Sequence, residues 1–197
     1  SVTDGALALT AGGDGIEATT DVVVTGGSVD VTAGGGSGGE PTEDTSTKGI
    51  KGDVYVVLAG GDVSVDSSDD AVHSNGAVSL SGGTVTVASG DDGVHADTQL
   101  AVTGGSVTVT RSYEGLESAD IAISGDDVAV TASDDGINVG GGDGSAEQGP
   151  GAPMDQTADT GDHQLAISGG TVVIDAEGDG LDSNGSVDIS GGTVVVW

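Results

Sequence analysis

A short acidic motif recurs along the sequence, and its side chains are of the kinds that bind metal ions. The motif is clearest at residues 91–97, Asp-Asp-Gly-Val-His-Ala-Asp, and a related form, Gly-Asp-Gly-Leu-Asp, occupies residues 178–182. Carboxylate and amide oxygens are the ligands that calcium prefers. The motif therefore predicts calcium binding, and the candidate ligands are Asp14, Glu17, Asp69, Asp70, Asp91, Asp92, Asp97, Glu114, Glu117, Asp134, Asp135, Asn138, Asp179 and Asp182.

The spacing of the motif follows a repeat of 22 residues. Gly-Gly pairs begin at residues 26, 60, 82, 104, 169 and 191, with Gly125-Asp126 as a variant pair, so the intervals are 34, 22, 22, 21, 44 and 22 residues. The two long intervals indicate insertions at residues 34–47 and 140–162. Both insertions are rich in glycine, small polar residues and acids, and we expect them to be loops.

Apolar residues keep the same spacing in three columns. An alternating pair precedes each glycine pair, as in Val78 and Leu80, another pair follows it, as in Val85 and Val87, and a single apolar residue follows the acids. Alternation with a period of two is typical of strands, and the glycines mark turns. The sequence therefore predicts one all-β domain over residues 1–197. We expect a right-handed parallel β-helix of about seven repeats, each of about 22 residues with three short strands.

In such a stack, equivalent acids would lie above one another in rows. Neighbouring strands are about 4.8 Å apart, and two carboxylates at that distance repel by about 1 kcal/mol even in water. We therefore expect cations between them. One repeat has Lys48 and Lys51 at the acid positions, where a lysine can compensate charge as a metal would elsewhere. His73 and His95, one repeat apart, could hold a transition metal, but the oxygen-rich surroundings favour simple polar residues there.

The overall charge narrows the range of partners. The chain has 33 acidic residues against three lysines and arginines, which gives a formal net charge of −30. Such a field repels nucleic acid and anionic membranes. Disorder is not expected, because strands rich in Val and Ile recur throughout the chain. A cation-loaded protein and a halophilic protein with a solvated acidic surface are both consistent with this composition.

The repeats resemble a known family. Residues 179–196 (DGLDSNGSVDISGGTVVV) and residues 90–97 (GDDGVHAD) are similar to bacterial "carbohydrate-binding domain-containing" proteins, as is the Gly-rich segment 140–151. The resemblance implies a secreted, calcium-binding parallel β-helix similar in fold to pectate lyases. It also implies binding of an acidic galacturonan or cellulose. Aromatic residues that could stack on a sugar ring are few, and the candidates are Tyr55, Tyr113 and Trp197.

Two other functions are consistent with the sequence. A polysaccharide lyase needs a Brønsted base beside its calcium, and the candidates are Lys48, Lys51 and Arg111. Both lysines are better explained as charge compensators, so we expect no catalysis. The chain begins and ends in strand patterns without a capping helix, and open strand edges can stack head to tail. Calcium-stabilised extracellular filaments are therefore the alternative to polysaccharide binding.

Overall fold

The structure, a computed structural model, describes residues 1–39, 46–125, 127–140 and 162–197, and within these ranges the chain forms strands and turns but no helix. The all-β prediction is thus confirmed. Nothing in the described ranges is a helix of the length and apolarity needed to cross a membrane. The predicted insertion at 140–162 lies almost wholly outside the described residues, as do residues 40–45 of the insertion at 34–47.

Sixteen strands build the described part of the chain. In chain order they are β1 (Ala6–Ala11), β2 (Ile16–Ala18), β3 (Asp21–Ala33), β4 (Ile50–Gly52), β5 (Tyr55–Ser67), β6 (Val72–Ser74), β7 (Ala77–Ser89), β8 (Val94–Arg111), β9 (Leu116–Ile123), β10 (Asp127–Ala132), β11 (Ile137–Val139), β12 (Gln164–Ile167), β13 (Thr171–Ala176), β14 (Leu181–Ser183), β15 (Ser186–Ile189) and β16 (Thr193–Val196).

The strands pair in three ladders, and every pairing between named strands is parallel. The first ladder runs β1-β3-β5-β7-β8-β10-β13-β16, the second β3-β5-β7-β8-β9-β12-β15, and the third β2-β4-β6-β8-β9-β11-β14. Each strand therefore pairs with the equivalent strand of the preceding and following repeats. Long strands such as β8 contribute to more than one ladder.

The strand register confirms the three apolar columns predicted from the repeat. In the first ladder, Val63 of β5 pairs with Val29 of β3 and Val85 of β7. The apolar residue that follows the acids behaves in the same way, since Ile50 pairs with Ile16 and with Val72. Apolar side chains of the same kind therefore stack on one another from repeat to repeat, and these β-branched side chains suit a pleated, buried surface.

The strands around the Gly-Gly pairs differ from the prediction, which gave three short strands in every repeat. In β3, β5 and β7 the segments before and after the glycines form one strand of 13 residues, with a shift of register at the glycines. Gly83 explains why glycine is needed at such a shift. It has φ of +83°, and a Cβ atom there would lie 2.3 Å from the carbonyl oxygen of Gly61 in the repeat below. The glycines thus let the chain bend while the strand continues, so no separate turn is formed there.

The core lies between the three ladders and consists of aliphatic side chains. Its largest fully buried members include Ile50, Leu58, Leu100 and Ile123. No phenylalanine is present in the sequence. A narrow interior of stacked valines, isoleucines and leucines therefore replaces the aromatic core of a more rounded domain, and it fixes the outward residues of each repeat at one height.

Candidate metal-binding edge

The acidic motif lies along the third ladder, at the bend that enters each of its strands. The residue after each inward apolar side chain points outward, and strand register aligns these outward residues in one column: Glu17, Lys51, His73, His95, Glu117, Asn138 and Asp182. The predicted alignment of this column is confirmed by the register. Its members are the polar residues that directly follow the apolar residue of each motif, such as His95 after Val94.

A second column lies two residues before the apolar side chains. Backbone hydrogen bonds of 2.9–3.0 Å connect this column from one repeat to the next. In each of them, the N–H of the residue that follows one column member donates to the carbonyl oxygen of the next column member. These bonds align Asp14, Lys48, Asp70, Asp92, Glu114, Asp135 and Asp179. Together with Asp69, Asp91 and Asp134, which begin the Asp-Asp pairs, the two columns are called the acidic edge below.

Buried serines hold the acidic bends in place, and the sequence interpretation did not identify them. Ser67 Oγ donates to the carbonyl oxygen of Asp69 at 2.8 Å, and Ser89 Oγ donates to that of Asp91 at 2.9 Å. Both serines are fully buried. The recurring Ser-x-Asp-Asp pattern at these two bends was the signal that could have revealed them.

The N-terminal part of the acidic edge is compensated by lysine. Lys48 Nζ lies 2.8 Å from Asp69 Oδ1 and 2.7 Å from Asp70 Oδ2, and the Lys48 backbone N–H donates to Asp14 Oδ1 at 2.8 Å. Burial lowers the pKa of Lys48, but the charges of Asp70 and Asp69 outweigh it and hold the pKa above its ordinary value. Lys51 makes a looser pair of 3.3 Å with the exposed Glu17.

The middle of the acidic edge is compensated by histidine. His95 Nδ1 lies 2.5 Å from Glu117 Oε2 and 3.2 Å from Asp92 Oδ2, and its Nε2 lies 3.1 Å from Asp97 Oδ1. Burial lowers the pKa of His95, but the hydrogen bonds to Asp92 and Glu117 and the charges of Glu117 and Asp70 outweigh it and raise the pKa to about 11. The His95 ring stacks on that of His73, with centroids 4.8 Å apart. In the metal-free protein the surrounding carboxylates thus favour a protonated His95 ring.

Asp92 and Glu117 share the proton balance around this imidazolium. Burial raises the pKa of Asp92 well above its ordinary value. Burial also acts on Glu117, but hydrogen bonds from His95 and Asp92 outweigh it and lower the pKa of Glu117. At Asp70, burial is likewise outweighed by the hydrogen bond to His73 and the charge of Lys48, so its pKa lies below the usual range. The cluster thus needs protons or cations to remain buried.

The C-terminal part of the acidic edge has no basic side chain in ion-pair contact, among the residues that the structure describes. Its members are Glu114, Asp134, Asp135, Asp179 and Asp182, with Asn138 beside them. Asn138 Nδ2 donates to Glu114 Oε2 at 2.9 Å. Burial and the charge of Glu117 raise the pKa of Glu114 to about 7, and burial also raises that of Asp135. These acids repel one another without an internal counter-ion.

The three aromatic candidates are not brought together. Tyr55 pairs with Asp21 and Ala77 in the second ladder, whereas Tyr113 lies beside the acidic edge. Trp197 follows β16 in the first ladder and is 69 % exposed. The structure therefore shows no shared aromatic platform among these three residues.

We expect the metal-free protein to become more stable as the pH falls from 8 to 5. Burial raises the pKa of Glu114 to about 7 and that of Asp91 to about 6, so the folded state takes up protons before the unfolded chain does. His95 acts in the same direction, because it keeps its proton when an unfolded histidine loses one. The gain should be on the order of 2 kcal/mol, and urea unfolding across this pH range measures it.

Bound calcium should weaken this pH dependence, because calcium and protons compete for the same carboxylates. A free energy of unfolding that decreases steadily from pH 8 to pH 5 in metal-free buffer would contradict the raised pKa values. The lowered pKa values of Asp70 and Glu117 do not change the sign, since both groups are ionised in the folded and unfolded states over most of this range.

Comparison with known proteins gives one similarity. Residues 1–93 match the model of a family described as "Carbohydrate-binding domain-containing protein". No curated protein and no solved structure matches the chain. The match contains the lysine-compensated part of the acidic edge and ends at the Asp91–Asp92 bend, whereas residues 179–196 lie outside it. Over just under half of its length, the chain is thus similar to a family described by carbohydrate binding.

Proposed function

We propose that the protein is an extracellular, calcium-binding parallel β-helix that binds polysaccharide without cleaving it. The strand pairing supports this fold: each repeat gives strand segments to three parallel ladders, and the chain returns to the same ladder after one repeat. Such a path winds into a solenoid. Parallel crossovers are right-handed in nearly all proteins, so we assign a right-handed winding.

The calcium proposal depends mainly on one observation, the unequal compensation of the acidic edge. Lys48 and His95 supply positive charge to its N-terminal and middle parts. From Glu114 to Asp182 the edge carries carboxylates at one-repeat spacing without such a partner in the described residues. Partly buried carboxylates such as those of Glu114 and Asp135 repel by several kcal/mol at the effective dielectric of a protein surface, if they keep the strand spacing of about 4.8 Å. Calcium prefers carboxylate and amide oxygens and accepts flexible geometry, so it is the cation that we propose for these acids.

The polysaccharide proposal is supported by the family match over residues 1–93. A surface this acidic would repel a uronic acid polymer, but a calcium ion at the edge could bind protein and uronate carboxylates at once. Acidic galacturonan is therefore the ligand that the chemistry favours, and cellulose is the second candidate. The scattered positions of Tyr55, Tyr113 and Trp197 offer little to a flat cellulose surface.

The absence of catalysis remains part of the proposal. Two of the three basic side chains that could act as a lyase base are held in ion pairs, Lys48 with Asp69 and Asp70 and Lys51 with Glu17. Arg111 is exposed at the end of β8.

Head-to-tail filaments likewise remain a prediction. The inward side chains of Val187, Ile189 and Val196 are about half exposed, since no described strand follows β15 and β16 in their ladders.

Affinity electrophoresis in gels that contain polygalacturonate tests the proposed function. We expect the protein to be retarded with calcium present and to migrate freely with EGTA. Asp135→Asn should weaken the retardation, because Asp135 belongs to the uncompensated part of the edge. Asp30→Asn removes the same charge from an exposed position on β3, outside the acidic edge, and should leave the retardation unchanged.

Pull-down on insoluble cellulose provides the second arm of the test. Binding to cellulose alone, independent of calcium, would show that the protein binds carbohydrate but that the calcium-bridging account is wrong. Binding to neither polymer would contradict the carbohydrate-binding proposal. The release of unsaturated product from polygalacturonate, followed by ultraviolet absorbance, would contradict the non-catalytic part.

A further inference from the structure

Two histidines stand in the middle of the acidic edge, where the other repeats have Glu, Lys, Asn or Asp. His73 and His95 come from adjacent repeats, and their rings are nearly parallel, with an interplanar angle of 13°. Around them lie Asp70, Asp92 and Glu117, and we call these five residues the histidine cluster. Asp70, Asp92 and His95 are 3 %, 7 % and 9 % exposed, so the cluster is buried much more than an ordinary acidic surface patch.

The histidine cluster has more acceptors than donors. His95 Nδ1 can carry one hydrogen, yet two carboxylate oxygens approach it, Glu117 Oε2 at 2.5 Å and Asp92 Oδ2 at 3.2 Å. Glu117 is the nearer acceptor, and the Asp92 carboxyl group also shares a hydrogen bond with Glu117, so two acids and one imidazole converge on one position. Two acids and an imidazole buried at one position are costly unless protons or a cation balance their charge. The Asp92, His95 and Glu117 side chains thus converge on a position where one cation could replace the protons that now hold them together.

The contacting atoms have the arrangement of ligands around one ion. The Nδ1, Oδ2 and Oε2 atoms converge from two adjacent repeats and lie within 4.8 Å of one another. Ligand atoms around zinc stand about 2.0–2.2 Å from the metal, which places neighbouring ligands roughly 3 Å apart. The separation of 3.2 Å between His95 Nδ1 and Asp92 Oδ2 is near that spacing, and the 2.5 Å contact with Glu117 Oε2 would lengthen when an ion replaced the shared proton.

We propose that His95, Asp92 and Glu117 bind one divalent transition-metal ion of the zinc class, distinct from the calcium proposed for the rest of the acidic edge. Imidazole is a good ligand for zinc, copper and nickel, whereas calcium takes oxygen ligands. The ion replaces the hydrogen on His95 Nδ1 and the proton shared by Asp92 and Glu117, and its charge balances both carboxylates. His73 stacks on the His95 ring and positions it, while Lys48 neutralises Asp70 on the other side.

Zinc titration followed by calorimetry at neutral pH, with calcium present in excess, tests this site. We expect the metal-stripped protein to bind one zinc ion that calcium does not displace. His95→Gln should weaken the zinc affinity at least tenfold and leave calcium binding unchanged. His163→Gln is the matched control, since His163 lies outside the cluster and contacts the carbonyl oxygen of Ala119, and it should leave zinc binding unchanged.

Electron paramagnetic resonance with one equivalent of copper gives a readout on the unaltered protein. We expect nitrogen hyperfine structure from an imidazole ligand, present in the His163→Gln variant and absent in His95→Gln. Zinc binding that calcium abolishes, or a copper signal from oxygen ligands alone, would overturn the proposal even where the His95 variant fails to fold. Either result would leave the calcium proposal standing, because that depends on the carboxylates from Glu114 to Asp182.

Discussion

Replacing Lys48 by methionine is expected to lower the free energy of unfolding by about 3–5 kcal/mol in calcium-free buffer. The ammonium group lies between Asp69 and Asp70, and the Asp70 side chain is only 5 % exposed. Methionine retains the length of the side chain but removes the ammonium charge between the two carboxylates, of which Asp70 still contacts His73. Urea unfolding at neutral pH and low salt measures the loss.

Lys51→Met is the matched control for this substitution. Lys51 lies three residues after Lys48, in strand β4 of the same repeat. Its partner Glu17 is 53 % exposed and 3.3 Å away. Exposed pairs of this kind contribute about 0–1 kcal/mol, so we expect a change within that range. Calcium should restore part of the stability of Lys48→Met, because the substitution makes this repeat resemble the uncompensated part of the edge. Equal small losses in both variants would contradict the assigned role of Lys48.

Removal of calcium from the unaltered protein is expected to lower the melting temperature by about 5–10 °C for each ion lost. An ion present at a hundred times its dissociation constant stabilises the fold by about 2.7 kcal/mol, and about 2–4 °C of melting temperature corresponds to each kcal/mol in a domain of this size. Differential scanning calorimetry with calcium and with EGTA, at low salt, measures the difference.

Two controls separate calcium binding from general screening of the negative charge. Sodium chloride at the same ionic strength should raise the melting temperature less than calcium does. Asp135→Asn should reduce the calcium effect, while Asp30→Asn, which removes one exposed charge elsewhere, should not. An equal gain from sodium chloride would favour a halophilic protein with a solvated acidic surface, which is the other explanation of a net charge of −30.

The backbone arrangement was predictable from the sequence because the repeat itself encodes the register. Glycine pairs and apolar columns at a spacing of 22 residues predicted that Ile50 lies over Ile16 and under Val72, and the strand pairing confirms this. The merging of strands across the glycine pairs was not predicted. Glycines signal a turn in a sequence, but here the positive φ of Gly83 lets the chain bend within a paired strand.

The side-chain chemistry of the edge was only partly predictable. Aligning the repeats places Lys48 in the same column as the acids. The alignment cannot show that the Lys48 amine contacts Asp69 and Asp70 of the next repeat rather than Glu17. It also does not show that His95 contacts Glu117 of the next repeat, which depends on rotamers and burial. The division of the edge into compensated and uncompensated parts therefore required the three-dimensional structure.

Equilibrium dialysis with calcium at neutral pH, in an excess of sodium, tests the central claim most directly. The account predicts saturable binding of at least one calcium ion per chain, weakened by Asp135→Asn and unchanged by Asp30→Asn. Calcium uptake that does not saturate, or that both variants reduce equally, would mean that the carboxylates from Glu114 to Asp182 form a solvated surface and not a binding site.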